Sequence, residues 1–241
     1  MGYEILPDMS FLTDRVTVVC GHYGTGKTNL SINLAMDAAD EGDNVTLIDM
    51  DVVNPYFRSS DYAESLTEKG VRVIGPNFAN SNLDTPSLPA AIGDAISEGE
   101  RVIIDVGGDD AGATALGVYS RQLSEASPDV MYVVNRYRSQ TTVPEEAVQI
   151  LREIEGAARI RASCIVNNSH LKGLTTEETV LESVPFAERV SELTGLPIRF
   201  TTAPVGVDLL NKIPNMYPVR VYVKAPWEKA GNRVAQSNRR Q

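Results

Sequence analysis

The stretch GHYGTGKT, Gly21–Thr28, follows the pattern G-x-x-x-x-G-K-T. A β-rich apolar run, Arg15–Cys20, precedes it, and a helical pattern, Lys27–Glu41, follows it. Between a strand and a helix, this pattern is typical of a loop that cradles phosphate. Its glycines let the backbone curl so that several N–H groups face one anion, and the helix adds its positive end. The stretch therefore predicts a phosphate-binding loop.

Individual residues of this loop have distinct predicted roles. Lys27 is a candidate catalytic residue, because its ammonium can reach the β- and γ-phosphates as a point charge. The Thr28 hydroxyl is a candidate Mg²⁺ ligand. The other nucleotide contacts predicted in this segment are Gly21, Tyr23, Gly24, Thr25, Gly26 and Asn29.

Strand and helix patterns alternate along the chain. Eight short apolar runs, most without polar alternation, predict an α/β fold with a mostly parallel sheet flanked by helices. Ligands of such sheets bind beyond the C-terminal ends of the strands. The predicted strands are Arg15–Cys20, Asn44–Asp49, Val71–Ile74, Arg101–Val106, Asp129–Val134, Ile160–Val166, Ile198–Thr202 and Val219–Val223. The predicted helices are Lys27–Glu41, Pro89–Glu98, Pro144–Ile154 and Pro185–Thr194.

Composition narrows the class of protein. With 241 residues, 42% of them hydrophobic, the chain is expected to form one domain, 1–241, with a flexible polar tail at 226–241. The net charge of −10 disfavours nucleic acid and anionic membranes over most of the surface. Cys20 and Cys164 lie in separate apolar runs and indicate neither a disulfide framework nor a metal cluster. With no signal-peptide pattern in Met1–Asp14, we expect a cytoplasmic protein.

Two carboxylates follow the second predicted strand. Asp49 and Asp51 alternate along an extended chain, so both side chains can face the nucleotide site. A carboxylate there can hold Mg²⁺ through water or orient the water that attacks the γ-phosphorus. The alternative is a pair of aspartates that only form hydrogen bonds within the loop.

A second acidic segment ends the fourth predicted strand. Arg101–Val106 is apolar apart from its first residue and Asp105, and Gly107 and Gly108 follow it. This resembles a Walker B segment, in which Asp105 would contact the magnesium shell and Gly107 or Gly108 would offer an N–H to the γ-phosphate. We expect a solvated loop at Asp109 and Asp110.

Together, these three segments resemble the MinD/ParA-type P-loop ATPases, which include the nitrogenase iron protein and the CobQ/CobB-like nucleotide-binding domains. The resemblance runs from Arg15 to about Gly206 and implies ATP and Mg²⁺ as cofactors. It further implies that Asp51 positions the attacking water, that Asp49 lies in the magnesium shell and that Asp105 is the Walker B acid.

The resemblance also implies an asparagine that recognises adenine after a later strand. Asn167 fits that place, with Asn168 as the alternative, because an amide both accepts and donates hydrogen bonds. An asparagine that only caps the loop is equally compatible with the pattern. The segment Asn211–Pro214 lacks the aspartate of a guanine-specific N-K-x-D motif, which favours ATP over GTP.

The chain departs from the family at two positions. The signature lysine, which in many members reaches the partner subunit's nucleotide, is His22 here, and the adjacent glycine is Tyr23. A neutral histidine supplies a donor but no fixed charge. The sequence is therefore compatible with a homodimer or with another protein partner. The chain lacks the lysine from which the family's dimer mechanism would be inferred. The switch region contains no cysteine, so the sequence does not indicate an iron–sulfur cluster. The sequence also lacks the amphipathic C-terminal helix that is typical of the members that cycle on and off membranes.

These observations favour a magnesium-dependent ATPase that acts as a nucleotide switch or as a maturation or partitioning factor. The alternative is a biosynthetic enzyme of the dethiobiotin synthetase or cobyrinate amidase type, with an acceptor pocket formed by Pro55–Asp61 and Asn77–Pro89. A third class is an interaction module that binds nucleotide without hydrolysing it. Solvated surface is the expectation for the Arg136–Arg138 loop, with a nucleotide or partner contact as the alternative, and His170 indicates no metal site.

Overall fold

The computed structural model describes residues 12, 14–51, 62–75, 90–207, 209 and 212–223. In it, eight strands form one sheet, in which all paired strands run parallel. The strands are β1 (Val16–Cys20), β2 (Val45–Met50), β3 (Arg72–Ile74), β4 (Arg101–Val106), β5 (Asp129–Val134), β6 (Cys164–Asn167), β7 (Ile198–Pro204) and β8 (Met216–Val219). Their order across the sheet is β3-β2-β4-β1-β5-β6-β7-β8. The predicted α/β fold with a parallel sheet is confirmed.

Helices connect these strands. They are α1 (Lys27–Asp40), α2 (Ala63–Glu68), α3 (Ala91–Glu98), α4 (Asp110–Gly117), α5 (Ser120–Ala126), α6 (Pro144–Ala158), α7 (Glu177–Leu181) and α8 (Val184–Thr194). No helix of the described ranges is both long and apolar enough to cross a bilayer. The proposed acceptor segments Pro55–Asp61 and Asn77–Pro89 and the tail 226–241 lie outside the described residues.

The core lies on both faces of the sheet. Along β1, Val16 and Val18 belong to a cluster that also contains side chains of α3–α6 and α8, while Val19 belongs to a second cluster with α1 and α2. All five residues of β1 are buried. This explains the continuous apolar runs, because a strand covered on both faces has no solvent-facing side.

The structure differs from two predictions about local structure. The last strand is Met216–Val219 rather than Val219–Val223. Beyond it, the backbone N–H groups of Arg220 and Tyr222 donate to the side chains of Asn33 and Asn29 on α1, so this segment pairs with a helix instead of a strand. Asp109 and Asp110 are exposed to solvent, as expected, but they lie at the start of a helix rather than in a loop. Asp109 accepts a hydrogen bond from the Gly112 N–H at 2.9 Å and caps α4, which begins at Asp110.

The strand order brings the predicted functional segments to one edge. β1 lies between β4 and β5, and β2 lies on the other side of β4. Because all these strands run parallel, the loop after β1 and the residues that end β2 and β4 meet at the C-terminal edge of the sheet.

Candidate nucleotide-binding site

Glycines shape the loop after β1. Gly21, Gly24 and Gly26 have φ angles of 147°, 77° and 88°, in the region that disfavours residues with a side chain. Space excludes side chains as well, since a Cβ at Gly26 would collide with the Asn168 amide and lie 2.9 Å from Nε2 of His170. α1 begins directly after Gly26, and no side chain caps it. The N–H groups of its first turn are thus available for an anion.

The His22 carbonyl closes the loop. It accepts hydrogen bonds from the Thr25 hydroxyl at 2.9 Å and from Nζ of Lys27 at 3.0 Å. Lys27 is only 7% exposed. Burial lowers the pKa of its ammonium, and the charges of Asp105 and Asp51 oppose that effect. Lys27 therefore lies among carboxylates at the base of the loop, where a phosphate would be a further partner for its charge.

The three predicted carboxylates converge at the same edge. Asp49 of β2 is the register partner of Asp105 of β4, and the Asp51 N–H donates to Oδ1 of Asp49 at 3.0 Å. All three residues are buried. Burial, followed by the charge of Asp49, raises the pKa of Asp105 to about 7, although Lys27 acts in the opposite direction. A nearby cation would stabilise the charged forms of both paired carboxylates.

These residues fit a magnesium site of the kind that is completed by phosphate. Among the described residues, no group of three or more His, Cys, Asp or Glu side chains could hold a metal by itself. Mg²⁺ bound with a nucleotide usually needs only one or two protein ligands, because phosphate and water supply the others. Oδ1 of Asp105 accepts from Ser31 at 3.3 Å, whereas its buried Oδ2 makes no hydrogen bond in the described ranges. Thr28 lies beside this carboxylate.

The Gly107–Gly108 segment lies against the loop. A Cβ at Gly108 would lie 2.6 Å from the Tyr23 backbone and 2.9 Å from Nζ of Lys27. A Cβ at Gly107 would lie 3.4 Å from Oδ1 of Asp51. The segment therefore lies against both the phosphate loop and the candidate catalytic carboxylate.

The two asparagines after β6 both make hydrogen bonds within the fold. Asn167 is fully buried, and its amide donates to Ser183 at 2.9 Å and accepts from Ser169 at 2.7 Å. These two contacts use one N–H and one lone pair of the amide, so the predicted contact of Asn167 with adenine stays a prediction. Asn168 instead donates to the Thr25 carbonyl at 2.6 Å and accepts from Thr202 at 2.5 Å. It fixes the phosphate loop to β7.

Asn29 also has a structural contact. Its amide nitrogen donates to the Arg220 carbonyl at 2.9 Å, and its oxygen accepts from the Tyr222 N–H at 2.8 Å. The side chain thus connects α1 to the segment after β8. The predicted contact of Asn29 with nucleotide stays a prediction.

Sequence reasoning did not assign two residues near the loop to the site, although a nucleotide contact was the alternative for the loop of Arg138. Arg138 donates from Nε to the Gly24 carbonyl at 2.5 Å, although solvated surface was expected for its loop. His170 lies beside Gly26, and burial followed by the charges of Arg138 and Lys172 lowers its pKa to about 4. The sequence offered one indication that these residues lie near the site, namely that each follows a predicted strand. This indication was insufficient because the order of strands in the sheet could not be determined.

A parallel sheet, a glycine-shaped loop before a helix, a buried lysine and adjoining carboxylates define a P-loop nucleotide-binding protein. A family model described as the CobQ/CobB/MinD/ParA nucleotide binding domain matches residues 16–195, which is more than half of the chain. The chain belongs to this family, and the predicted resemblance is confirmed.

Solved structures agree on the fold. Cell division protein FtsY of Thermotoga maritima is 21% identical with a TM-score of 0.53, and the match covers 79% of this chain and 62% of that one. FtsY of Mycoplasma mycoides is 19% identical with a TM-score of 0.52, over 77% of this chain and 58% of that one. The signal recognition particle receptor FtsY of Elizabethkingia anophelis, in complex with GDP, is 19% identical with a TM-score of 0.51, over 78% and 57%.

The match thus spans about 57 to 62% of the length of these solved structures. At such identities the likeness establishes the shared fold and nothing about the ligand of this chain. A comparison with curated protein sequences finds no match.

Proposed function

We propose that this protein is a magnesium-dependent ATPase that acts as a nucleotide switch, in a maturation or partitioning role. The observation that carries the proposal is the convergence of Lys27, Asp51 and Asp105 beside a glycine-shaped loop. Lys27 and the N–H groups of the loop would bind the phosphates, while Thr28, Asp49 and Asp105 would hold Mg²⁺ directly or through water. The bound ion would neutralise charge on the β- and γ-phosphate oxygens.

Asp51 is the residue proposed to position the attacking water. It is 7% exposed and lies next to Gly107, which precedes the proposed γ-phosphate contact at Gly108. A carboxylate in this place accepts a hydrogen bond from the water and directs its oxygen at the γ-phosphorus. Lys27 would stabilise charge on the phosphate oxygens as the γ-phosphate departs.

Adenine is the base that we propose. Guanine presents two adjacent N–H donors that a carboxylate pairs with, yet the chain has no aspartate or glutamate between Asn167 and Thr176 after β6. Asn167 remains the proposed base contact, with Asn168 as the alternative, although both amides also make hydrogen bonds within the fold.

Contacts between the loops support a switch. Gly108 adjoins Tyr23 and Lys27, while Gly107 adjoins Asp51 and is packed on Gly112 of α4. A γ-phosphate at this junction would fix these segments together, and its release would free them. A protein partner or a second copy of the chain would respond to that change. We place the protein in the cytoplasm, in agreement with two buried free cysteines in the described residues.

Replacement of Asp51 tests the hydrolytic role. We expect Asp51→Ala to reduce phosphate release from Mg·ATP by about 10²-fold or more, because the attacking water loses its orienting group. ATP affinity should change only a few-fold, because phosphate binding depends on Lys27 and the loop. Steady-state phosphate release and calorimetric titration measure the two quantities.

Asp94→Ala is the matched control, because Asp94 is an exposed aspartate on α3. It should behave as wild type in both measurements. Equal rates for wild type and Asp51→Ala would show that Asp51 has no such role. Turnover that appears only when a small carboxylic acid is added would instead favour the biosynthetic alternative.

A further inference from the structure

Arg138 is a cation on the phosphate loop that the proposed function has not used. It follows β5, the strand adjacent to β1, and its Nε donates to the Gly24 carbonyl at 2.5 Å. A Cβ at Gly24 would lie 3.1 Å from Nε and 3.4 Å from Cζ of Arg138, so the guanidinium lies directly over this glycine. Gly24 follows Tyr23, whose backbone adjoins Gly108 and therefore the proposed γ-phosphate end of the loop.

The segment that carries Arg138 is held in place by its own hydrogen bonds. The Asn135 carbonyl accepts from the Arg138 N–H at 3.2 Å and from the Thr141 hydroxyl at 2.7 Å, while the Thr141 N–H donates to the Arg138 carbonyl at 2.9 Å. The Tyr137 hydroxyl donates to the Thr179 carbonyl at 2.7 Å. A guanidinium on such a fixed segment loses little freedom when it binds a ligand.

The charge of Arg138 has no acidic partner in the part of the chain that the structure describes. With the residues of those ranges Arg138 forms no ion pair, and its terminal Nη atoms make no hydrogen bond to them. The side chain is partly buried in a protein of net charge −10. Because Nε is used by Gly24, the two Nη atoms are left as a fork that matches the geometry of phosphate oxygens.

Arg136, two residues earlier, is differently placed. Its guanidinium donates to the Glu182 carbonyl and lies 5.8 Å from the centroid of the Tyr137 ring. It is therefore directed toward the segment between α7 and α8. Two arginines of one loop thus differ in whether they contact the phosphate loop.

We propose that Arg138 is a catalytic arginine that acts on the nucleotide bound by its own chain. This inference rests on the proposed ATPase function, and it deepens that function by naming a cation beside the phosphate loop of a chain in which His22 replaces the family's lysine. In the reaction, the water oxygen bonds to the γ-phosphorus while the bond from that phosphorus to the β–γ bridging oxygen breaks. The electron pair leaves with ADP, and the water's proton passes to the inorganic phosphate or to solvent. The Nη atoms donate to the γ-phosphate and bridging oxygens, whose charge rises in the transition state.

The test compares Arg138→Ala and Arg138→Lys with Arg136→Ala, which removes the same charge from the same loop. We expect Arg138→Ala to lower the single-turnover rate of Mg·ATP hydrolysis by about 10²-fold or more. Arg138→Lys should remain strongly impaired, because an ammonium lacks the fork, and it serves as the variant that keeps the charge and the fold. Arg136→Ala should stay within about twofold of wild type. Wild-type activity per subunit should not change with protein concentration, because the arginine belongs to the same chain.

Binding measurements separate failure of this inference from failure of the proposed function. If wild type binds Mg·ATP without hydrolysing it, a selective loss of affinity for ATP over ADP in Arg138→Ala, absent in Arg136→Ala, would support the arginine contact and reject the ATPase. If Arg138→Ala matches Arg136→Ala in both binding and rate, the inference is wrong. Activity per subunit that rises with protein concentration would also overturn it, because the cation would then come from a second subunit.

Discussion

At the scale of single residues, His170 shows how burial sets a charge beside the phosphate loop. Its Nδ1 accepts a hydrogen bond from the Lys172 N–H at 3.2 Å, which places the proton of the neutral ring on Nε2, the atom that adjoins Gly26. Burial, followed by the charges of Arg138 and Lys172, lowers the pKa of the ring to about 4. The ring is therefore neutral at pH 7 and adds no charge of its own beside Arg138.

This depressed pKa predicts a pH-dependent stability. The ordinary pKa of histidine is about 6.5, so between pH 6.5 and 4 the unfolded chain binds the proton more readily than the folded one. Stability should fall as the pH decreases through this window. We expect His170→Gln to remove about 1 to 2 kcal/mol of the loss in unfolding free energy between pH 7 and pH 5. Urea unfolding of both proteins at the two pH values measures it, and identical losses would contradict the assignment.

At the scale of elements, the P-loop could be predicted because its chemistry is local. Gly26 and Lys27 are adjacent in sequence, and the flanking strand and helix are contiguous with them. The carboxylates could be placed because each ends a strand of a parallel sheet. Arg138 and Asn168 could not be placed, because their contacts with Gly24 and Thr25 depend on β5 and β6 following β1 in the sheet. The individual strand patterns do not give that order.

The contact between α4 and the Gly107–Gly108 segment provides a prediction at this scale. A Cβ at Gly112 would lie 2.6 Å from Cα of Gly107 and 2.8 Å from its backbone nitrogen and oxygen. Since backbone cannot rotate away, Gly112→Ala should displace Gly107 and, with it, the contact of Gly108 with Lys27. We expect a loss of about 1 to 3 kcal/mol in unfolding free energy and a decrease of about 10-fold or more in ATP hydrolysis.

Gly156→Ala is the matched control for this change. Gly156 is an exposed residue of α6, and a Cβ there would meet no atom within 4 Å. The substitution should leave hydrolysis unchanged and stabilise the protein by up to about 1 kcal/mol, because alanine favours a helix over glycine. Denaturant unfolding and phosphate release measure both variants. Unchanged activity in Gly112→Ala would mean that the position of Gly107 does not affect catalysis.

At the scale of the whole molecule, the hydrophobic core on both faces of the sheet supports the ligand site. β1, β4 and β5 are almost completely buried, and each ends at the edge where the phosphate loop and its neighbours meet. The loop is also tied to both sides of β1, through Gly108 after β4 and through Arg138 and Asn168 after β5 and β6. A ligand in this loop should therefore stabilise the folded chain as a unit.

This coupling predicts a nucleotide-dependent melting temperature. At a ligand concentration 100 times the Kd, binding adds about 2.7 kcal/mol, which for a chain of this length corresponds to roughly 5 to 10 °C. We expect this shift with Mg·ATP and a clearly smaller one with Mg·GTP at the same concentration, because the segment after β6 lacks a carboxylate for guanine. Lys27→Ala should lose the ATP-dependent shift, whatever its effect on the melting temperature without nucleotide. Thermal unfolding of both proteins measures these shifts. A larger shift with GTP would reject the adenine assignment, and an unchanged shift in Lys27→Ala would reject the role of Lys27 in nucleotide binding.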